Sequence, residues 1–228
     1  MTKNYSRMKA AMLILLLFGL DAFTAGAQEV KIGTIPYPMH FENHPVGYSV
    51  SGSNHLCIAA GPHTDLFIPP GGNGEINSSP RLVFHPDSDF ILTAKVTPDF
   101  RTKWDAGVLV IYNDRYHYAK FCFEEDYLGQ PRVVSVVCNQ VADDCNSMAV
   151  HQKSVYYRVI GSSKGNTFSL YYSADGKSWY LVRAFQLDAV NHLMIGFSAQ
   201  SSVGKGCNVD FDQISLQQRK ANDFWKGN

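Results

Sequence analysis

The sequence predicts an all-β sandwich of two antiparallel sheets, and three observations carry that prediction. From Leu56 onward, short β-branched and aromatic runs recur between turn residues, which is the rhythm of an antiparallel sandwich. No window of a dozen residues holds the three-four apolar spacing of an amphipathic helix. Between Tyr116 and Val137 the alternation is strict: Tyr116, Tyr118, Lys120, Cys122 and Glu124 interleave with His117, Ala119, Phe121 and Phe123, ahead of a Gly129-Gln130-Pro131 turn. Period-two alternation puts the two rows on opposite faces of a strand.

Taken in order, the chain opens on Lys3, Arg7 and Lys9, then the apolar run Ala10 to Leu20, then a small-residue site at Ala25-Gly26-Ala27. Residues 1–27 therefore read as a cleavable secretory signal, and the protein is expected to be secreted or periplasmic. The run is shorter than the roughly 20 apolar residues of a bilayer span, so no membrane span is expected. Removing residues 1–27 takes away Lys3, Arg7, Lys9 and Asp21 and leaves 17 bases against 19 acids. That near-neutral balance argues against a nucleic-acid partner, which normally leaves a basic stripe as its footprint.

About 200 mature residues suit one sandwich with a real core. Residues 28–216 are expected to form it, with 217–228 as a polar tail that is frayed or docks through Phe224-Trp225. Strands are expected over Phe90–Val96, Gly107–Tyr112, Arg132–Val137, Val155–Ile160, Phe168–Ser173 and Leu193–Ala199. Asp175-Gly176 between Phe168–Tyr172 and Trp179–Val182 marks a hairpin, because a tight turn needs positive φ. Pro69 to Pro80 reads as a long irregular excursion that could overhang a groove.

Five cysteines, Cys57, Cys122, Cys138, Cys145 and Cys207, are odd in number. Export permits disulfides, and either Cys138–Cys145 clamping the polar loop Asn139–Asp144 or Cys122–Cys138 across a hairpin would serve. No Cys-x-x-Cys or His-x-x-x-His spacing points to a bound metal. Asp65, Asp87, Asp89, Asp210 and Asp212 could supply oxygen ligands to a structural calcium; no other cofactor is implied.

Several pieces in order resemble one known family. They are Thr64-Asp-Leu-Phe67, Asp89-Phe90, Ala106-Gly-Val108, Tyr118-Ala-Lys-Phe-Cys-Phe-Glu124, Ser135-Val-Val137, Arg158, Ser173-Ala-Asp-Gly-Lys-Ser-Trp179 and Val209-Asp-Phe211. The series, from about Phe41 to Leu216, is similar to the concanavalin A-like domains named after regulation-of-enolase proteins, and more distantly to the C-terminal domains of β-xylosidases. The resemblance implies a concanavalin A-like jelly roll. This chain departs from the family pattern at Cys122, where glycine is usual, at Cys138, where threonine is usual, and at Ala142-Asp-Asp-Cys145, which replaces a Ser-Asp-Trp-Ser element. The departures imply an altered site and a disulfide that braces it.

For chemistry, Tyr116, Tyr118, Lys120 and Glu124, joined by Tyr156 and Arg158 if a neighbouring strand has matching parity, compose a candidate ligand-binding groove. Tyrosine offers a flat apolar face with a polar edge for stacking on sugar rings, and Arg, Lys and Glu can hydrogen-bond hydroxyls. Lys120 and Glu124 stand about 13 Å apart along one strand and cannot pair directly. The same six residues would also suit a solvated face with cross-strand ion pairs.

The expected function is non-catalytic carbohydrate binding on a concave sheet face. A structural or protein-interaction sandwich of the envelope is the alternative. Glycoside hydrolysis comes third, since Glu124, Glu125, Asp105 and Asp114 are the only candidate carboxylates and adjacent Glu124 and Glu125 point to opposite faces. No catalytic residue is assigned. Ser173 to Trp179 approaches the sialidase Asp-box but occurs once and is one residue short, so it reads as a hairpin whose Trp179 packs on the sheet.

Overall fold

The computed structural model describes residues 29–71 and 74–228. The signal expected over residues 1–27 lies outside them. Sixteen strands run through the described residues. They begin with β1 (His40–Glu42), β2 (Gly47–Ser51), β3 (His55–Ala60), β4 (Leu66–Phe67), β5 (Ile76–Asn77), β6 (Arg81–Phe84), β7 (Asp89–Pro98) and β8 (Asp105–Asp114). They continue with β9 (His117–Glu125), β10 (Pro131–Asn139), β11 (Val141–Ala149), β12 (Val155–Ser162), β13 (Thr167–Ser173), β14 (Tyr180–Gln186), β15 (Met194–Ser201) and β16 (Cys207–Gln217). Among the described residues no helix is long and apolar enough to cross a membrane.

Two seven-stranded antiparallel sheets pack face to face. The first has the order β1-β6-β15-β8-β9-β10-β11, the second β14-β13-β12-β7-β16-β3-β2, and β4 and β5 pair as a small arch. The all-β sandwich read from the sequence is thus the observed architecture, consistent with a jelly roll. The alternation decides which residues meet between the sheets: Ala119, Phe121 and Phe123 of β9 face Tyr157, Val159 and Leu92 of the opposite sheet in one core. Phe121 stacks on Tyr157 at a centroid distance of 3.8 Å, and the Tyr157 hydroxyl donates to the Cys122 carbonyl at 2.7 Å. Gly107 lets the sheets approach, since a Cβ there would come within 2.6 Å of Val96 and Val209.

The hairpin at Asp175-Gly176 forms as expected, joining β13 to β14. Gly176 takes φ +73°, and the Asp175 carboxylate accepts from the Lys177 and Ser178 amides at 2.8 Å. These amides hold its pKa down at about 2, Ser178 foremost. Trp179 stacks on Arg158 on the outer face of the second sheet, with 3.8 Å from guanidinium carbon to ring centroid.

Two expectations fail at β10–β11. Asn139 to Asp144 is not a loop but a tight turn, with Gln140 at φ +74°, running into the nine-residue strand β11. Register then forbids both disulfides: Cys138 faces Tyr118 on β9 and Ala142 on β11, Cys122 faces Val134, and Cys145 faces Ser135. All five cysteines are free thiols.

Candidate functional site

The outer face of the first sheet is not the open surface that the alternation suggests. Residues 61–71 and 74–79 fold across it: Thr64 exchanges backbone hydrogen bonds with Ser201 at 3.1 and 3.2 Å, and the Asp65 carbonyl accepts from the Ser78 and Ser79 amides. The arch lays Leu66 and Ile68 on an apolar floor of Val108, Val110, Tyr118, Cys122, Val134 and Val136. Strands β8 and β9 are accordingly buried on both faces.

Within this covered face the register sets polar side chains in two rows. Gln200 of β15 aligns through Ala106 with Glu124, and small Ala106 leaves the space in which the two side chains meet. Lys120 aligns through Val136 with Asp144 on β11. Gln200 joins the rows, accepting from Lys120 Nζ at 3.1 Å and donating to Glu124 Oε2 at 3.4 Å. Lys120 also donates to Asp65 Oδ1 at 2.9 Å, and Asp65 Oδ2 accepts from Ser202 Oγ at 2.8 Å.

These groups open onto a cavity of about 320 Å³, lined further by Phe67, Ile76, Trp104 and Val203. Trp104 forms part of its rim in the left-handed region, at φ +66°. That conformation is unfavourable for a bulky residue, and backbone strain of this kind clusters at functional sites. Its carbonyl accepts from Gln200 Nε2 at 3.3 Å, and Lys103 Nζ lies 4.5 Å from the ring centroid.

The electrostatics follow from burial. Glu124 is 8 % exposed, and burial raises its pKa to about 8; Lys120 opposes the shift while Asp65, Asp144 and Asp126 reinforce it. Its second oxygen, Oε1, has no hydrogen-bond partner among the described residues. Asp144 sits on an exposed strand, yet its carboxyl borders the cavity and is raised by desolvation, with Lys120 opposing and Asp65 and Asp143 adding. Desolvation pulls on Lys120 too, but the Asp65 carboxylate holds it charged. The Lys120–Asp65 pair, with side chains 4 % and 13 % exposed, pins the arch to the sheet.

Of the six residues predicted to form one groove, only Lys120 and Glu124 line the cavity. Tyr118 is fully buried beneath the arch, its hydroxyl without a partner of good geometry beside the Cys138 thiol, so it offers no stacking face. Tyr116 packs at the end of the apolar floor with Arg115 over its ring at 4.6 Å. Tyr156 and Arg158 belong to β12 in the other sheet, because β12 pairs with β7 and β13 and never with β9. There Arg158 donates to Thr93 Oγ1 at 3.2 Å and to the Gly227 carbonyl, and Tyr171 donates to the Phe224 carbonyl, so the tail docks over β12 and β13.

The other candidates disperse as well. Asp105 is buried and bonded to the Arg101 and Thr102 amides and Ser201 Oγ, and Asp114 accepts from the Tyr116 and His117 amides in a turn. Among the aspartates considered for calcium, Asp65 is spent on Lys120, Asp87 bonds Tyr37, and Asp210 faces His55 at 3.2 Å. No group of three metal-ligating side chains converges among the described residues. Trp104, Gln200 and Ser202 were missed; the expected strand Leu193–Ala199 stops one residue short of Gln200.

Residues 41–219 match the sequence family described as "Protein of unknown function (DUF1349)". The chain belongs to that family. Among solved structures, this family member is similar to a functionally unknown protein from Saccharomyces cerevisiae, at 19% identity and a TM-score of 0.74 over 84% of this chain and 100% of that one. It is also similar to the GH43 protein BlXynB from Bacillus licheniformis (16% identity, TM-score 0.62, 79% of this chain, 37% of that one). A xylan β-1,4-xylosidase from Bacillus halodurans C-125 gives 16% identity and a TM-score of 0.58 over 72% of this chain and 32% of that one. The chain thus spans about a third of the GH43 proteins, and at such identities the likeness shows the fold alone. It supports the β-xylosidase half of the expected resemblance; the regulation-of-enolase label has no counterpart in these matches. No curated protein matches the sequence.

Proposed function

We propose that this family member is an exported, non-catalytic carbohydrate-binding protein, and that its site is the walled cavity on the outer face of the first sheet. The observation that carries this reading is the pairing of a half-buried Trp104 at the rim with a nine-tenths buried Glu124 that lines the same cavity and has one carboxyl oxygen without a hydrogen-bond partner among the described residues. An aromatic ring beside convergent hydrogen-bonding groups is what a pyranose needs, since it stacks by its C–H face and is oriented by its hydroxyls. The cavity stands at the small end of the ~300–1,000 Å³ range of ligand pockets, which suits one or two sugar rings better than a long chain. The likeness to GH43 structures agrees with this reading without carrying it.

Glycoside hydrolysis is the second reading, favoured by Glu124 as an acid protonated at neutral pH with Asp144 across the same cavity. Against it, both carboxyls are pushed up, whereas an acid–nucleophile pair needs environments that push the two apart.

Calorimetric titration of residues 28–228 with a panel of oligosaccharides tests the proposal. Saturable binding weakened about tenfold by Trp104→Ala, in protein that stays folded, is the expected result. No binding across the panel would overturn the proposal, and reducing-end release abolished by Glu124→Gln would establish the hydrolytic reading instead.

A further inference from the structure

Resting on the carbohydrate reading, the free hydrogen-bonding capacity of the cavity narrows the class of sugar. Asp65 is spent: Oδ1 accepts from Lys120 and the Leu66 amide, Oδ2 from Ser202. Gln200 is spent at both ends, on Lys120, Glu124 and the Trp104 carbonyl. Lys120, with three ammonium hydrogens, has two placed. What remains toward the cavity is Glu124 Oε1, the whole Asp144 carboxyl, and one Lys120 N–H.

That remainder is rich in carboxyl groups. Asp65 and Lys120 cancel each other, and ionising both remaining carboxyls would crowd like charge into a partly desolvated space beside the rings of Trp104 and Phe67, so Glu124 keeps its proton unless a cation is seated beside it. An acidic sugar would bring a further negative charge against one spare ammonium hydrogen. A neutral sugar can exchange hydrogen bonds with the carboxyls but leaves Glu124 protonated. An ammonium stabilises both carboxyls in their charged form, and aromatic walls attract it further.

We infer that the cavity selects an amino sugar carrying a free amine, its ammonium received by Glu124 and Asp144 with the ring against Trp104. The groups that face Glu124 bear on the proton balance: Lys120 on β9, Asp126 after it, Asp144 on β11 and Asp65 on the arch. At pH 7 the buried Glu124 holds its proton, so seating a cation drives that proton into solvent. Binding of an amine-bearing sugar is accordingly coupled to proton release, and binding of a neutral sugar is not.

The experiment is calorimetric titration of residues 28–228 at pH 7 with a glucosamine trimer, its N-acetylated counterpart and a galacturonic acid trimer, in two buffers of different ionisation enthalpy. The expected result is affinity for the free amine at least about tenfold above that for the N-acetylated trimer. Galacturonate should not bind, and the heat with the amine should shift between buffers by close to one proton released. Glu124→Gln should abolish the proton release and the preference. Asp144→Asn, on an exposed edge strand, should reduce the preference and serves if Glu124→Gln fails to fold. Equal affinity for the amine and the N-acetyl form, or an amine preference that survives both substitutions, would overturn the amino-sugar inference while leaving carbohydrate binding intact. Failure of every saccharide to bind would overturn both.

Discussion

The outer faces of the two sheets start from the same alternating pattern and end in opposite environments. On the second sheet, β7, β12 and β16 alternate buried and half-exposed positions, and the outward residues pair in or near solvent: His55 with Asp210 and Asp212, Arg158 with Trp179. On the first sheet the arch closes over β8, β9 and β10, so the outward row becomes a second core with a polar cavity at one side. The difference teaches that a cover, rather than the strand itself, turns a surface ion pair into a site. Charges that interact weakly in water interact several-fold more strongly when the effective dielectric falls.

The largest expected contrast between the faces is in stability. Lys120→Met leaves Asp65 nearly buried without its partner and should cost about 3–5 kcal/mol in urea unfolding. Arg158→Met, which removes a stacked cation and a tail contact, should cost about 1 kcal/mol. Equal losses would show that the arch does not desolvate Lys120.

The next contrast is in pH dependence. Glu124 is protonated in the fold up to about pH 8 but ionises well below that when unfolded, so its contribution is full in acid and is lost as pH rises toward and through 8. Between pH 5 and pH 9 the loss should be on the order of 3 kcal/mol, and Glu124→Gln should remove it. Asp175 in the outer hairpin runs the other way: its carboxyl is depressed to about 2, so its contribution holds at neutral pH and disappears as pH falls toward 2. Chemical denaturation of wild type and Glu124→Gln across this range checks the sign.

A smaller contrast separates two tyrosines expected to share one groove. Tyr118→Phe deletes a buried hydroxyl that has no partner and should be neutral or stabilising by up to about 1 kcal/mol. Tyr118→Ala empties a packed site and should cost about 3 kcal/mol, whereas Tyr156→Ala on the other sheet should cost well under half of that. The smallest effect is in thiol reactivity. In native protein only exposed Cys145 should react promptly with a disulfide reagent, since Cys57, burial first and Asp210 second, is pushed up to about 11 and the other three are buried. All five should react in denaturant; fewer than five would mean that a disulfide exists after all.

How far the site was legible varies residue by residue. Lys120 and Glu124 stood out because charges in mid-strand break an otherwise apolar pattern. Trp104 did not, because it lies in the turn before β8 and its left-handed backbone has no mark in residue type. Gln200 lay just past the expected strand Leu193–Ala199, and Asp65 looked like a calcium candidate because its true partner lies 55 residues away. Tyr118 misled: a tyrosine beside a lysine reads as surface unless the chain elsewhere comes back to cover it.

Residue order alone settled the sandwich, most of its strands and the Asp175-Gly176 hairpin, because alternation and turn chemistry act over a few neighbouring residues. The sheet to which each strand belongs was decided by long-range pairing, which put β9 in one sheet and β12 in the other and so divided the expected groove. The cavity was likewise decided by tertiary contacts, since Asp65, Lys120 and Gln200, 55 and 80 residues apart, meet only when the arch folds over the sheet. Burial there sets the protonation of Glu124, and burial is a property of the assembled fold.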